Sequence, residues 1–441
     1  MRWTNRRILD LTTRSDHSIP GPPYCVDQGM ENEMQQLTRF IALLGGLTVA
    51  ATLDARPYPG VSGLAAAADS AVTAGSNPAG MARLKTRTMQ GRIIGLFSDT
   101  IWASEFENVG ITRKSDDSNT TIVPTGYLVQ PINEDWVFGF TILGSGFSDD
   151  LGDWPGRYFI EDYDLIYVSA FPSLAHRVND QLSLAASAVL TYSRYKQSRA
   201  VRNSLDPGFG DGSMKLDTDG YTAGFGLSAL YEFTARTRVG LTYQSKLDPE
   251  LDGKAKFRNL GPNTEAALST AGLLNARIDT KSRSPQSVLA GVYHEFENNH
   301  AVTFDLIWSD FSNFKLSEIY VDGNSIADND ASYQDIWTVS ASYTWPVNER
   351  LMLGVSGLYV DDMIKNDERT MMLRLDSLWS IGVGLEWLWK KERKLSASVS
   401  YIGVGDAPTT TPRLPGLGTL SGKYTKRDTL LVEIAMSLGS P

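Results

Sequence analysis

The strongest constraint on the fold of this chain is a two-residue hydrophobic period that begins near residue 90 and recurs to the C-terminus. In one segment, the apolar residues Trp337, Val339, Ala341, Tyr343 and Trp345 alternate with small polar residues. Successive side chains of a β-strand point to opposite faces of the sheet, so this period predicts strands with one apolar and one polar face. We therefore expect an all-β protein.

Fourteen segments have this period, and the connections between them alternate in length. Short connections, such as 131–134 and 390–393, separate long ones, such as 144–161 and 246–285. This alternation is typical of bacterial outer-membrane barrels, which have tight periplasmic turns and long outer loops. We predict a transmembrane antiparallel β-barrel of about 14 strands within residues 87–441. The predicted strands lie near residues 93–104, 121–130, 135–144, 162–171, 181–193, 217–233, 237–246, 286–296, 300–309, 335–345, 350–360, 377–389, 394–403 and 427–438.

Alternation alone is equally compatible with a soluble β-sandwich or propeller. Trp337 and Trp345 are separated by about 26 Å along a strand, or about 20 Å of height at the usual tilt. Trp379 and Trp389 give a height of about 25 Å. These spacings suit two aromatic girdles at the edges of a membrane, whereas the repeat of about 40 residues that a propeller needs is not found in the sequence.

Composition excludes several functions. The sequence has no apolar run of about twenty residues that could form a spanning helix. The net charge of -10 and the lack of a basic stripe argue against binding to nucleic acid. The single cysteine, Cys25, precedes a predicted export signal, so the mature chain is expected to carry no thiol chemistry.

Residues 34–55 are interpreted as a secretory signal peptide, with Arg39 before an apolar core from Phe40 to Val49. A buried helix is the alternative interpretation of that apolar core. Cleavage after Ala51 and cleavage after Ala55 fit equally well. Residues 1–33 fit no part of a signal, and we interpret them as a non-native or extended N-terminus.

The segment 60–84, GVSGLAAAADSAVTAGSNPAGMARL, is rich in small residues and contains Asn77, Pro78, Ala79 and Gly80 just before the first strand. It resembles the N-terminal segment of the outer-membrane long-chain fatty acid and hydrocarbon transporter family (FadL/TodX type). Further likeness lies in 284–314 and 333–389, so that the resemblance covers nearly the whole mature chain.

The resemblance implies that residues 56–86 fold into the lumen as a hatch that contains Asn77, Pro78, Ala79 and Gly80. It also implies an outer-membrane channel for long-chain fatty acids or hydrocarbons, in which the ligand is captured among the outer loops and released sideways into the membrane. A plug is physically reasonable because fourteen strands enclose more space than their own side chains fill. An ordinary Asn-Pro turn is the alternative.

We further expect a monomer whose partners are a hydrophobic small molecule and outer-membrane lipid, with no cofactor or metal. In the family, a kink in the third strand opens the barrel wall, and Gly139 or Gly144 could permit such a kink here. The chain departs from the family at its end, because it finishes on Pro441 where such barrels usually finish on an aromatic residue.

No catalytic motif is found, so we predict that the chain is not an enzyme. G-x-S-x-G, H-E-x-x-H and Walker sequences are missing, and His17, His176, His294 and His300 are scattered. An outer-wall lipase would need a histidine beside a serine near the outer leaflet. A general porin, the other alternative, would have a charged constriction loop and no hatch.

Candidate ligand-binding residues fall in two regions. Arg83, Lys85 and Arg87, after the hatch, could bind a carboxylate or could pair with lumen-facing carboxylates to hold the hatch in place. In the loop 246–285, a helix over 264–276 would place apolar residues on one face, either to receive ligand or to pack near Phe209. These apolar residues are Ala267, Leu268, Ala271 and Leu274.

Overall fold

The fold was determined from a computed structural model, which describes residues 59, 61–106, 112–150, 152, 156–158, 160–274, 276–321, 324–327, 333–366, 368–369, 376–390, 393–410 and 419–439. The N-terminal extension 1–33 and the signal peptide 34–55 predicted above lie outside these residues, as do Cys25 and His17.

Fourteen antiparallel strands form one closed barrel. In chain order, β1 to β14 are Thr88–Phe106, Thr112–Pro131, Trp136–Asp150, Asp162–Arg177, Leu182–Val201, Gly212–Thr234, Thr237–Gln244, Ser287–Glu295, Ala301–Ser309, Ile336–Asn348, Leu351–Val360, Leu378–Lys390, Arg393–Val404 and Leu420–Leu438. Each strand pairs with its neighbours in sequence, and β1 pairs with β14 from Met89 opposite Leu438 to Phe106 opposite Leu420. The ladder therefore closes on itself and forms a barrel.

The predicted barrel of 14 strands is confirmed, and each predicted segment lies on one strand. Several strands extend further outward than predicted. For example, β14 begins at Leu420 rather than near 427, and β6 begins at Gly212 rather than near 217. These outer ends carry charged residues on their exposed face, because they lie above the membrane. The hydrophobic alternation therefore stops before the strand does.

The two faces of the wall have opposite character. On β12, Trp379, Ile381 and Val383 are 47 %, 59 % and 61 % exposed and face lipid, whereas Ser380 and Glu386 are buried in the lumen. Trp337 and Trp379 lie at the outer ends of their strands, and Trp389 lies at the periplasmic end of β12. The predicted lipid-facing aromatic rows are thus present at both edges of the barrel.

Outside the membrane, a raised rim extends the sheet beside β6. The first rim strand, Glu250–Arg258, pairs with the outer half of β6. The second, Arg277–Arg283, pairs with the first, and the third, Lys315–Val321, pairs with the second. They enclose a small apolar core that includes Leu165, Tyr195, Leu216, Leu251 and Ile278. Two short strands, Asn324–Ala327 and Thr409–Thr410, and the 3-10 helix Phe311–Asn313 complete the outer structure.

The rim contains the helix Pro262–Thr270, which is shorter than the predicted 264–276. The backbone turns at Gly272, whose φ is 73°, and the N–H of Leu273 donates to the Leu268 carbonyl at 2.9 Å. This is a glycine-terminated helix end. Ala271 closes the helix, because its N–H donates to the Ala267 carbonyl at 3.0 Å. Leu274 lies beyond the turn and does not share a helical face with Leu268, so the predicted amphipathic face was wrong at Leu274. No helix in the described ranges is long and apolar enough to cross a membrane.

Candidate functional site

The lumen is occupied by the N-terminal segment. Residues 61–84, which we call the hatch, are almost entirely buried inside the barrel and include the short helix Thr73–Ser76 and the 3-10 helix Pro78–Arg83. Alanines of the hatch pack directly on the inner wall because their small side chains let the two backbones approach closely. The hatch residues packed there include Ala66, Ala67, Ala68, Ala71, Ala74 and Ala79.

In the Asn77 to Gly80 sequence, Asn77 links the two hatch helices, and Pro78 to Gly80 begin the 3-10 helix. The Asn77 side chain donates to the carbonyls of Ala65, at 2.6 Å, and of Ala229 on β6, at 3.1 Å, and it accepts from the Ala79 N–H at 3.2 Å. Pro78 begins the 3-10 helix, where a missing N–H costs nothing. A Cβ at Gly80 would lie 2.4 Å from Thr73 Oγ1, so only glycine fits there. The Asn77 side chain thus both stabilises the link between the helices and attaches the hatch to the wall.

Two buried wall charges hold the hatch backbone. Both Asp305 oxygens accept backbone N–H groups, from Leu64 at 3.1 Å and Ala65 at 3.0 Å. Arg238 donates from Nε to the Ala66 carbonyl at 2.6 Å, and its guanidinium lies 3.6 Å from the centroid of the Tyr293 ring. Buried charges are stable only when they are hydrogen-bonded, so these contacts both satisfy the wall and fix the hatch.

The basic residues singled out from the sequence lie at the periplasmic end of the hatch. Arg83 forms an ion pair with Glu232 of β6, whereas Lys85 and Arg87 are exposed. Arg177 of β4 donates to the Ala82 carbonyl in the same region. Arg83 therefore has the geometry of the hatch-holding alternative. Ligand binding by Arg83, Lys85 and Arg87 stays a prediction.

An apolar belt lines the outer half of the lumen, above the hatch. Its wall residues contact Val61, Leu64 and Ala65 of the hatch. The belt comprises Ile94, Leu96, Val123, Leu289, Ile307, Ile336, Val360, Leu378, Ile402 and Leu431. Sequence reasoning missed it, although a signal exists. Leu378 and Ile402, for example, have the same parity as the lumen-facing serines of their own strands and interrupt an otherwise polar row.

The wall is incomplete between β2 and β3. In the described residues, these strands pair only from Pro131 opposite Val137 to Thr125 opposite Leu143. Farther outward, β2 pairs with β1 as far as Thr112, and β3 pairs with β4 as far as Asp150. This unpaired stretch, which we call the β2–β3 gap, lies at the level of the belt, because it begins beside the belt residue Val123.

Pro124 and Gly144 lie where the gap begins. Pro124 has no N–H to donate to a neighbouring strand, and it lies just outward of the last pair. Gly144 lies opposite that position on β3, and a Cβ there would meet nothing within 4 Å. Gly139 lies within the paired part, where a Cβ would be 2.2 Å from Met81 Sδ, so its role is to admit the hatch. Of the two glycines considered for a kink, Gly144 is the one at the gap.

The candidate residues in the outer loops lie on the raised rim. Phe209 is 58 % exposed, and Leu268 and Leu274 are half-buried. The rim helix is joined to the loop before β6 by Asp206, which accepts from the N–H of Asn263 at 3.0 Å and of Thr264 at 2.8 Å. Burial tends to raise the pKa of Asp206, but hydrogen bonds from Asn263 and Thr264 outweigh it and lower that pKa.

The histidines offer no assembled catalytic site in the described ranges. His294 Nδ1 lies 2.8 Å from Thr237 Oγ1 at the periplasmic end of β8, and His300 contacts the Tyr343 hydroxyl. His176 stacks on Trp136 at a ring distance of 4.4 Å, also at the periplasmic end. The same part of the chain holds no group of three His, Cys, Asp or Glu side chains placed to bind a metal.

The fold and the plugged lumen define a class, the outer-membrane β-barrels that are closed by an internal N-terminal hatch. The chain belongs to the family described as outer membrane protein transport protein (OMPP1/FadL/TodX), whose sequence profile matches residues 43–432. Its location is the outer membrane, and the family consists of transporters of hydrophobic compounds.

Relatives and solved structures agree with this placement. The chain is 22 % identical over 376 residues to the long-chain fatty acid transport protein of Escherichia coli, covering 77 % of this chain and 83 % of the relative. It is 23 % identical over 389 residues to outer membrane protein P1 of Haemophilus influenzae, covering 77 % and 81 %.

Two crystal structures share the fold. A Pseudomonas aeruginosa FadL homologue superposes with a TM-score of 0.76 at 20 % identity, covering 91 % of this chain and 98 % of that one. The toluene transporter TodX of Pseudomonas putida gives 0.61 at 15 % identity, covering 91 % and 99 %.

Proposed function

We propose that this protein takes up hydrophobic small molecules, long-chain fatty acids or hydrocarbons, by passive diffusion that the hatch gates, and releases them sideways through the β2–β3 gap. The observation that carries the proposal is the apolar belt directly above the hatch. A lumen that served only water-soluble solutes would have no reason to place branched aliphatic side chains on its inner face.

The proposed route follows from the positions of the rim, the belt, the β2–β3 gap and the hatch along the barrel axis. Ligand partitions first onto the raised rim near Phe209, Leu268 and Leu274, where apolar side chains are exposed or half-buried. It then enters the belt, whose floor is the hatch. Because the β2–β3 gap opens at belt level, the ligand leaves toward lipid without crossing the polar lower lumen. The hatch blocks ions and water below.

The proposal assigns no catalytic step to the chain and no cofactor. A lipase would need its histidine near the outer leaflet, whereas His176, His294 and His300 lie at the periplasmic end. A general porin would leave the lumen open to hydrophilic solutes, whereas residues 61–84 fill it here. The names of two relatives, a fatty acid transporter and a toluene transporter, support hydrophobic ligands for this chain as well.

A deletion strain tests this function. We expect slower uptake of oleate and of a neutral aromatic such as toluene, with unchanged uptake of sugars and ions, and restoration by the intact gene. Slower uptake of small hydrophilic solutes would show that the protein is a general porin instead. Equal uptake of every solute in both strains would refute both.

A further inference from the structure

The inner wall changes from apolar to polar at one position on β1. Ile94 and Leu96 belong to the belt, and Arg92 is the next lumen-facing residue toward the periplasm, with 2 % of its surface exposed. Arg92 lies opposite Thr125 of β2, the outermost β2 residue that still pairs with β3. A buried cation therefore lies at the base of the belt, one strand away from the lower end of the β2–β3 gap.

The guanidinium of Arg92 is only partly satisfied. Its Nε lies 2.9 Å from Glu433 Oε1, and its Cζ lies 5.9 Å from the centroid of the Tyr127 ring. Within the described residues, Nη1 and Nη2 have no hydrogen-bond partner. The carboxamide of Gln90 and the Thr125 hydroxyl, which are neighbours on the same inner face, also have none. In contrast, Arg238 and Arg83 are bonded to hatch carbonyls and to Glu232, respectively.

Unsatisfied donors in a buried site are costly and rare, so a group that carries them calls for an acceptor. The free edge of a guanidinium matches the two oxygens of a carboxylate. Glu433 already places one negative charge on the other edge, which disfavours a doubly charged phosphate. A neutral hydrocarbon would satisfy none of these donors.

We propose that Arg92 binds the carboxylate of an amphipathic ligand whose apolar tail lies in the belt, so that this channel selects long-chain monocarboxylates over neutral hydrocarbons. The inference rests on the proposed function and names its substrate class. Gln90 and Thr125 supply further donors to the same carboxylate. This places the headgroup on the barrel wall, beside the β2–β3 gap, rather than at Arg83, Lys85 and Arg87 below the hatch.

The test measures equilibrium binding of oleate and of its uncharged analogue methyl oleate to the purified full chain in nanodiscs, by calorimetry. Arg92→Gln should weaken oleate binding about ten- to a hundredfold and leave methyl oleate binding unchanged, because only the charge-assisted bonds are lost. Arg92→Lys should restore part of the oleate affinity. Glu433→Gln should tighten oleate binding, since a like charge is removed. Arg194→Gln, in an exposed rim ion pair with Asp217, is the matched arginine control.

Equal losses for both probes, or no loss for either, would overturn the role of Arg92. A loss of oleate binding in a Lys85→Gln, Arg87→Gln double variant but not in Arg92→Gln would move the headgroup to the hatch end and also refute it. If Arg92→Gln fails to assemble, Glu433→Gln decides, and unchanged oleate preference refutes the inference. In this assay, the proposed function itself fails if the unaltered protein binds neither probe.

Discussion

At the scale of single residues, small side chains decide how closely the hatch approaches the wall. Gly240 of β7 carries no side chain where the Ala65 carbonyl comes nearest, and a Cβ there would lie 1.8 Å from that oxygen. Glycine weakens a strand in isolation, but here it permits hydrogen bonds between the hatch backbone and Asp305. The small side chains of 61–84 and the glycines of the wall therefore both allow the hatch backbone to lie close to the wall.

Asn77→Ala should loosen the hatch without removing it. The substitution leaves the buried Ala65 carbonyl without the Asn77 donor, at a cost of about 1–3 kcal/mol, and also removes the partly buried hydrogen bond to the Ala229 carbonyl. We expect more frequent open events in planar bilayers and faster proteolysis within 61–84. Asn179→Ala, which removes an exposed turn cap at the periplasmic end, is the control and should behave like the unaltered protein. Equal frequencies of open events and equal proteolysis rates for both variants would contradict the role of Asn77.

The attachment of the rim helix should depend on pH through Asp206. The pKa of Asp206 is lower in the folded state than the ordinary value of about 3.9, so its carboxylate stabilises the contact above that value. The stabilisation is lost as the pH falls through the folded pKa. Amide exchange at Asn263 and Thr264 should therefore show protection at pH 6 that disappears in acid. In Asp206→Asn, protection should be weak at both pH values, and full protection in that variant would refute the explanation.

At the scale of elements, the sequence predicts the strands of the barrel well because each strand that crosses lipid must alternate. It predicts the outer ends of β6 and β14 poorly, since residues above the membrane are free of that requirement. The rim helix was predicted to extend too far because the apolar residues continue past Gly272, where the backbone turns. The belt left a local signal at Leu378 and Ile402, which interrupt polar rows, but it was missed because its importance depends on which strands close around the hatch. Arg92 was missed for the same reason.

The β2–β3 gap yields a prediction at this scale. Continuing the register would place Pro124 directly opposite Gly144 on the lipid face. The double variant Pro124→Val, Gly144→Val restores a ladder donor and adds a β-branched pair, which together stabilise a closed gap by about 1–2 kcal/mol. Uptake of oleate should then fall roughly five- to thirtyfold if lateral release is the route.

The control for the gap variant is Gly357→Val. Gly357 is also a lipid-facing glycine with open space around it, but it lies in β11, which is paired on both sides. Its substitution should not affect uptake. Amide exchange at residues 144–146 would verify that the gap has closed in the double variant. Closed-gap protection together with normal uptake would show that ligand leaves through the hatch instead.

At the scale of the whole molecule, barrel and hatch contribute different properties. Strand pairing around the closed ring satisfies the backbone in lipid and so stabilises the barrel on its own. The hatch supplies no strand to that ring, and it is held from within by Asp305, Arg238 and the Asn77 turn. Stability and permeability should therefore be separable by deletion.

Deletion of residues 61–84 should leave a folded, heat-modifiable barrel, because Asp305 and Arg238 would then face a water-filled lumen in which they are solvated. Conductance in planar bilayers should rise well above that of the intact protein, and discrimination between hydrophobic and hydrophilic solutes should be lost. Deletion of residues 262–274, the rim helix and the turn that follows it, is the control for shortening the chain and should leave the conductance low. A correctly folded hatch deletion with unchanged conductance would mean that outer structures, and not this segment, close the pore.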